Sequence, residues 1–150
     1  MNLGFASDHR GFNLKEKLIN YFEKKGYNII DCGTYSMESC DYPDYAYRLG
    51  DKIVKKEVDY GIAICGSGIG ISIALNKIHG VYCAKVNSSE EAMYTRCDNN
   101  TNCVAFGEKI PFEEAISIVE TFIKTDYSNL EKHNRRISKV KQIESGEYNA

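Results

Sequence analysis

Residues 61–70 read Gly-Ile-Ala-Ile-Cys-Gly-Ser-Gly-Ile-Gly, a short apolar run that passes into a glycine-rich segment. A strand that is apolar at every position is typical of a parallel sheet covered by helices on both faces. The glycines at 66, 68 and 70 let the backbone approach a ligand closely, and a helical run from Ile69 to Lys77 follows. The segment therefore predicts a strand, a ligand-binding turn and the start of a helix.

Short apolar runs and longer amphipathic stretches alternate on both sides of this segment. We expect strands at residues 3–6, 28–31, 61–65, 81–86 and 103–106. A helix is expected after each strand, with a further, highly charged helix at 129–146. Ser88 and Glu91 form a capping-box signal for the fourth helix, and Pro111 is typical of the start of the fifth. The alternation predicts an α/β, Rossmann-like three-layer fold with a five-stranded parallel sheet, in a single domain of residues 1–150.

Composition restricts the classes of function. The 150 residues carry a net charge of -2, so an overall attraction to nucleic acid or to an anionic membrane is not expected. No apolar stretch approaches the roughly 18–20 residues of a membrane span, and the first residues lack the pattern of a signal peptide. We expect a cytoplasmic protein with no nucleic-acid or membrane partner.

The six cysteines, at positions 32, 40, 65, 83, 97 and 103, match no disulfide or metal pattern. No C-x-x-C pair exists and the three histidines are not at zinc-site spacings, so no metal is expected. Several of these thiols lie in apolar strand-like runs, and most are interpreted as core residues. Cys65 ends a strand just before a helix N-terminus, a position that favours the thiolate. It is either a reactive group, as base or nucleophile, or a buried strand-end thiol.

Polar residues cluster in three segments, at 7–11, 65–70 and 96–102. Ligands of doubly wound sheets bind beyond the carboxyl ends of the strands, and we expect the three segments to meet there in one pocket. The glycine-rich turn is not a P-loop, because no Gly-Lys-Ser/Thr follows. A dinucleotide fingerprint also fits poorly, since Ile71 occupies the slot of its third glycine.

A basic group of residues lies near the C-terminus. Lys132, His133, Arg135 and Arg136 fall within one and a half helical turns, and Lys109 follows the fifth predicted strand. A solvated helix face explains such a run in most proteins. The alternative is a phosphate clamp, because Lys and Arg supply charge-assisted hydrogen-bond donors.

Several separated motifs, taken in order, resemble the ribose-5-phosphate isomerase B family, which also includes the subunits of galactose-6-phosphate isomerase. The matching segments are residues 7–12, 41–43, 65–74, 76–77, 99–107 and 133–136. The resemblance implies a cofactor-free aldose–ketose isomerase of phosphorylated sugars. It also implies a homodimer or tetramer with shared active sites, in which the C-terminal helix packs on a partner subunit.

The resemblance also assigns site residues. It implies that Cys65 is the base that moves a proton between C1 and C2 through an enediol, and that Ser67 helps to stabilise the oxyanion. The backbone that would share this task belongs to Gly66, Gly68, Ile69 and Gly70. The residues implied to contact the sugar are Asp8, Tyr42 and Asn99. The residues implied to surround the phosphate are His9, Lys109, Lys132, His133 and Arg136.

Some positions depart from the family pattern. A branch of the family that uses a glutamate as base carries it where this chain has Ile71, so the resemblance points to the cysteine branch. Asp98 stands where a histidine usually opens the furanose ring, and an ionised carboxylate has no proton to donate. Lys109 and Lys132 stand where arginine is common, which keeps the charge and loses bidentate binding of phosphate. Tyr82 replaces an arginine often seen in its strand.

Three interpretations of Asp98 stay open. In the first, Asp98 or another group opens the ring. In the second, the enzyme uses the open-chain form of its substrate. In the third, the chain is one half of a two-component isomerase or acts on another sugar phosphate. The leading hypothesis is the interconversion of D-ribose 5-phosphate and D-ribulose 5-phosphate. The alternatives are a six-carbon substrate, such as allose 6-phosphate or galactose 6-phosphate, and a non-catalytic sugar-phosphate-binding module.

Overall fold

A computed structural model describes residues 1–150 and has five strands and six helices. The strands are β1 (Asn2–Ser7), β2 (Asn28–Asp31), β3 (Tyr60–Cys65), β4 (Cys83–Lys85) and β5 (Cys103–Gly107). The helices are α1 (Phe12–Lys24), α2 (Tyr42–Val54), α3 (Ile69–Asn76), α4 (Ser89–Asn99), α5 (Phe112–Lys124) and α6 (Glu131–Ser145). The predicted α/β class and the number of strands are confirmed, although β4 has three residues where six were predicted.

All strand pairs are parallel, and the sheet order is β2-β1-β3-β5-β4. Strand β3 therefore lies in the middle, between β1 and β5. The register pairs Ser7 with Ile64 and Cys65 with Gly107, so these three strands end side by side. The loops that follow them form the carboxyl edge of the sheet.

Two apolar layers cover the sheet because successive strand side chains point to opposite faces. One face packs on α1 and α5 in a cluster of 17 buried residues that includes Leu3, Ile64 and Phe106. The other face packs on α2 and α3 in a cluster of 14 buried residues. The predicted inner face of α5 is buried at all five positions, which are Ala115, Ile118, Val119, Phe122 and Ile123.

The helix starts follow the predicted local signals. The Ser88 side chain accepts a hydrogen bond from the Glu91 backbone N–H at 3.2 Å, which caps α4 as the capping-box pattern predicts. Pro111 directly precedes α5. No helix combines the length and the hydropathy that a membrane crossing requires.

Helix α6 differs from the others because none of its residues is buried. Its C-terminal half is attached by Glu144, whose carboxylate accepts hydrogen bonds from the Tyr82 hydroxyl at 2.8 Å and the Gly80 N–H at 3.3 Å. Val140 and Ile143 are 48% and 62% exposed. This helix thus presents apolar side chains that its own chain does not cover, and its packing on a partner stays a prediction.

Candidate active site

Cys65 ends β3 at the carboxyl edge, and its side chain faces the turn that follows. The residue is 4% exposed, and its Sγ accepts a hydrogen bond from the Gly68 backbone N–H at 3.2 Å. The predicted reactive cysteine therefore has a donor in place from the start of α3.

Gly68 is required for this geometry on two grounds. Its φ of 80° lies in the left-handed region that side chains rarely adopt. A Cβ at this position would also lie 2.7 Å from the backbone carbonyl carbon of Phe106. Only glycine lets the turn pass over β5 and aim its N–H at the sulfur of Cys65.

Ser67 and Tyr42 complete the rim of the turn. Ser67 is exposed, and its Oγ accepts a hydrogen bond from the Ile69 N–H at 3.1 Å. The Tyr42 ring covers Gly70 so closely that a Cβ there would lie 2.7 Å from Cζ of the tyrosine. Helix α3 begins here, so its first N–H groups have no intrahelical acceptor. The structure thus brings Cys65, Ser67, Gly70 and Tyr42 together.

Asp8 and His9 follow β1 at the same edge. Asp8 is 6% exposed, and its Oδ1 accepts hydrogen bonds from the Arg10 and Gly11 backbone N–H groups at 3.0 and 3.1 Å. Nδ1 of His9 accepts a hydrogen bond from the Cys40 N–H at 3.2 Å. With Nδ1 used in this contact, Nε2 is the ring nitrogen left to contact a ligand.

The segment 96–102 lies at the opposite edge of the sheet, and the prediction of one pocket within the chain is wrong. Asn99 ends α4, and the next strand begins at Cys103, whose register partner is Gly61 at the start of β3. From Gly61 to Cys65 the strand rises about 13 Å, at about 3.3 Å per residue. The segment 96–102 lies apart because a helix in an α/β unit returns the chain to the amino edge. Residues at the end of a helix therefore cannot join residues that follow a strand.

The basic residues divide between the two edges as well. Lys109 is exposed and follows β5 at the carboxyl edge, as His9 follows β1. His133 lies at the amino edge, where its Nε2 is 3.3 Å from Oδ1 of Asp98. Lys132 and Arg136, both exposed, are four residues apart on the first turns of α6 and share one helix face. The structure groups these two with His133 and Asp98, and Asn99 ends the neighbouring helix α4.

Two other buried thiols, Cys32 and Cys103, have raised pKa values. Burial, and then the charge of Asp31, raises the pKa of Cys32 to about 11. Burial, and then the neighbouring thiol of Cys83, raises the pKa of Cys103 well above its usual range. Both are therefore held as neutral thiols, in agreement with their interpretation as core residues, and all six cysteines are free.

The sequence assigns no role to Arg10 or Cys40, and both residues contact the site. The Arg10 guanidinium reaches Glu108, 98 positions away, and the Cys40 N–H reaches His9, 31 positions away. Neither contact has a local sequence signal. The one available hint was that Arg10 lies within the segment that follows the first strand.

A parallel α/β sheet with a cysteine and a glycine-rich turn at its carboxyl edge is typical of proteins that bind a small ligand beyond the strand ends. The family model described as Ribose/Galactose Isomerase matches residues 3–140. The chain belongs to this family. It is 37% identical over 143 residues to the ribose-5-phosphate isomerase B of Escherichia coli, and the alignment covers 95% of each of the two chains.

Two solved structures are closely similar to this chain. The ribose-5-phosphate isomerase B of Clostridium thermocellum superposes with a TM-score of 0.94 and 39% identity, covering 97% of this chain and 99% of the other. The enzyme of Mycoplasma genitalium, solved with bound ribulose 5-phosphate, has a TM-score of 0.90 and 36% identity, covering 96% of both chains. The predicted family is confirmed.

Proposed function

We propose that the chain is an aldose–ketose isomerase that interconverts D-ribose 5-phosphate and D-ribulose 5-phosphate through an enediol. The observation that carries the proposal is the contact of 3.2 Å between the Cys65 sulfur and the Gly68 N–H, beside Ser67 and the start of α3. Removal of a proton next to a carbonyl needs a base and donors aimed at the oxygen that becomes negative. The carboxyl edge supplies both within one turn.

The proposed proton transfer starts from the open-chain aldose. The Cys65 thiolate takes the proton from C2, and the electron pair of that bond forms the C1–C2 double bond while negative charge moves to O1. The Ser67 hydroxyl and the N–H groups at the start of α3 stabilise this enediolate oxygen. The proton returns from sulfur to C1 and a proton moves from O2 to O1, which leaves a ketone at C2.

Proposed substrate contacts lie on both sides of the base. In this proposal Asp8 and Tyr42 accept hydrogen bonds from sugar hydroxyls, and Nε2 of His9 donates a hydrogen bond to a substrate oxygen. Lys109 supplies positive charge for the phosphate at the same edge. A phosphate group held at a distance from Cys65 would position the reacting carbon. Loss of the contacts to the phosphate would therefore slow turnover as well as weaken binding.

We further propose that a second copy of the chain completes each site. Five residues of the proposed site lie at the amino edge and cannot reach a sugar bound at Cys65 of the same chain. They are Asp98, Asn99, Lys132, His133 and Arg136. An adjoining copy would bring them there. The exposure of Ile69 and Ile73 on α3, at 54% and 56%, supports an apolar contact between copies close to the turn.

Replacement of Cys65 tests the chemistry. The C65A variant is expected to lose at least about a hundredfold in isomerase activity and to lose deuterium exchange from solvent into C1 of ribulose 5-phosphate. C97A, a half-buried thiol at the other end of the sheet, is the matched control and should keep both. Full activity of C65A would refute the assigned base. A panel that includes allose 6-phosphate and galactose 6-phosphate determines the preferred sugar.

Mixing of variants tests the shared site. C65A removes the base from the carboxyl edge, and R136A removes a cation from the amino edge. If two copies share a site, co-refolded mixtures of the two variants form one intact site and recover activity that neither has alone. If every chain holds a whole site, the mixture gives only the mean of the two separate activities.

A further inference from the structure

The Arg10 side chain joins the loops that follow three neighbouring strands. It belongs to the loop after β1, its Nη2 lies 3.0 Å from Oε1 of Glu108 after β5, and its guanidinium lies against Gly66 after β3. A Cβ on Gly66 would lie 2.9 to 3.1 Å from Nη1, Cζ and Nε of Arg10. These near-equal distances mean that the flat face of the guanidinium covers the glycine.

Both ends of this contact have firm supports. The backbone N–H of Arg10 donates to the buried Asp8 carboxylate at 3.0 Å. The backbone N–H of Glu108 donates to the carbonyl oxygen of Cys65 at 2.9 Å. The guanidinium is therefore held at a defined place in the carboxyl edge, close to the backbone of the proposed base.

Most donors of Arg10 have no partner in the chain. A guanidinium has five N–H donors, and the hydrogen bond to Glu108 uses one of them. The side chain is 54% exposed. One face of the guanidinium lies on Gly66 and one donor is used by Glu108, so the other donors of this half-exposed group are free for a ligand. His9 and Lys109 belong to the same set of loops.

We propose that Arg10 binds the phosphate of the sugar phosphate, an inference that rests on the proposed function. A planar fork with free donors matches two oxygens of a phosphate monoester. Lys109 next to Glu108 adds a point charge that cannot bind in this bidentate manner. Arg10 thus supplies the guanidinium that the carboxyl edge would otherwise lack, and Glu108 positions it without using the whole fork.

A purely structural role makes a different prediction. If Arg10 only fastened three loops, its loss would lower thermal stability and would affect phosphate-containing and phosphate-free ligands alike. An exposed ion pair contributes little to stability. Binding of inorganic phosphate therefore separates the two roles.

The experiment compares R10A and R10K with the wild-type protein. R48A serves as the control because Arg48 is an exposed arginine on α2, away from the proposed site. Its Cζ lies 5.0 Å from the centre of the Tyr45 ring. We expect R10A to raise the KM for ribose 5-phosphate and the inhibition constant of inorganic phosphate together, each about tenfold or more. R10K should recover only part of this loss because it has no fork. R48A should match the wild type, and the unfolding midpoint of R10A should stay close to it.

Two results would overturn the inference. One is an inhibition constant for phosphate that is unchanged in R10A. The other is a fall in kcat alone, which would place Arg10 at the reacting carbons. Calorimetric titration of inorganic phosphate into wild type and R10A gives the same answer without turnover, and equal heats from both would also refute it. A wild-type protein that binds phosphate through Arg10 but isomerises no sugar phosphate would refute the proposed function alone.

Discussion

Nε2 of His133 lies 3.3 Å from Oδ1 of Asp98, so the start of α6 brings an imidazole to the end of α4. The His133 side chain is 12% exposed and the Asp98 side chain 45%. A carboxylate alone can only accept a proton, but an imidazole beside it can donate one. The pair could therefore supply the acid and the base that opening of a furanose ring requires.

The Asp98–His133 pair predicts a specific separation of activities. D98N and H133N should lower the conversion of ribose 5-phosphate by about a hundredfold, as expected for loss of general acid–base catalysis. Both variants should keep deuterium exchange into ribulose 5-phosphate, because that substrate forms no furanose ring. D98H should retain conversion. Equal loss of conversion and exchange in D98N would assign Asp98 to another step.

Lys15 is predicted to hold the loop beside the site. Its side chain is fully buried, and Nζ lies 2.8 and 2.9 Å from the two Asp31 carboxylate oxygens. Oδ1 of Asp31 also accepts a hydrogen bond from the Gly33 N–H at 2.9 Å, and the Gly33 carbonyl accepts one from Ser7 at 2.7 Å. K15M should lower the free energy of unfolding by about 1 to 2 kcal/mol, because it leaves the Asp31 carboxylate, which is 30% exposed, without its lysine partner.

Denaturant unfolding with K17M as control measures this effect. Lys17 is exposed on the same helix, so its loss should change the free energy of unfolding by less than about 0.5 kcal/mol. Equal stability of K15M and K17M would show that the buried lysine is not stabilising.

Tyr82 predicts a pH dependence of stability at alkaline pH. Burial, and then the hydrogen bond to Glu144, raises the pKa of Tyr82 to about 12. In the unfolded chain the pKa of tyrosine is about 10. The contribution of Tyr82 is therefore complete below about pH 10 and is lost as the pH rises towards about 12. The free energy of unfolding should fall more steeply in this range for the wild type than for Y82F.

The Y82F variant also tests the attachment of α6. At neutral pH the loss of this hydrogen bond should cost about 1 kcal/mol. Proteolysis within 131–145 should become faster in Y82F if Tyr82 and Glu144 hold the helix. Unchanged cleavage would show that other contacts hold it.

The raised pKa values of two thiols predict a labelling order. Cys32, with a pKa of about 11, and Cys103 should resist alkylation at about pH 9, where an ordinary cysteine with a pKa of about 8.5 reacts. Cys40 and Cys97, which are only half-buried, should react first. Peptide mapping after timed alkylation measures the order, and unfolded protein should label at all six. Early modification of Cys103 would contradict its burial.

The sequence by itself determined the elements whose signals are local. Such signals depend only on neighbours a few positions away. Examples are the apolar run at residues 61–65, the glycines at 66, 68 and 70, and the Ser88 cap. The structure has the strand, the turn and the helix start at these places, within a few residues of the expected bounds.

Only the tertiary structure decided which polar groups meet. Asp98 lies at the end of a helix and Cys65 at the end of a strand, so the sheet separates two groups that the family pattern unites in one site. Arg10 with Glu108, and Lys15 with Asp31, are contacts between distant positions. Their pairing depends on strand order and register, which arise from packing of the whole chain and leave no periodic signal in the sequence.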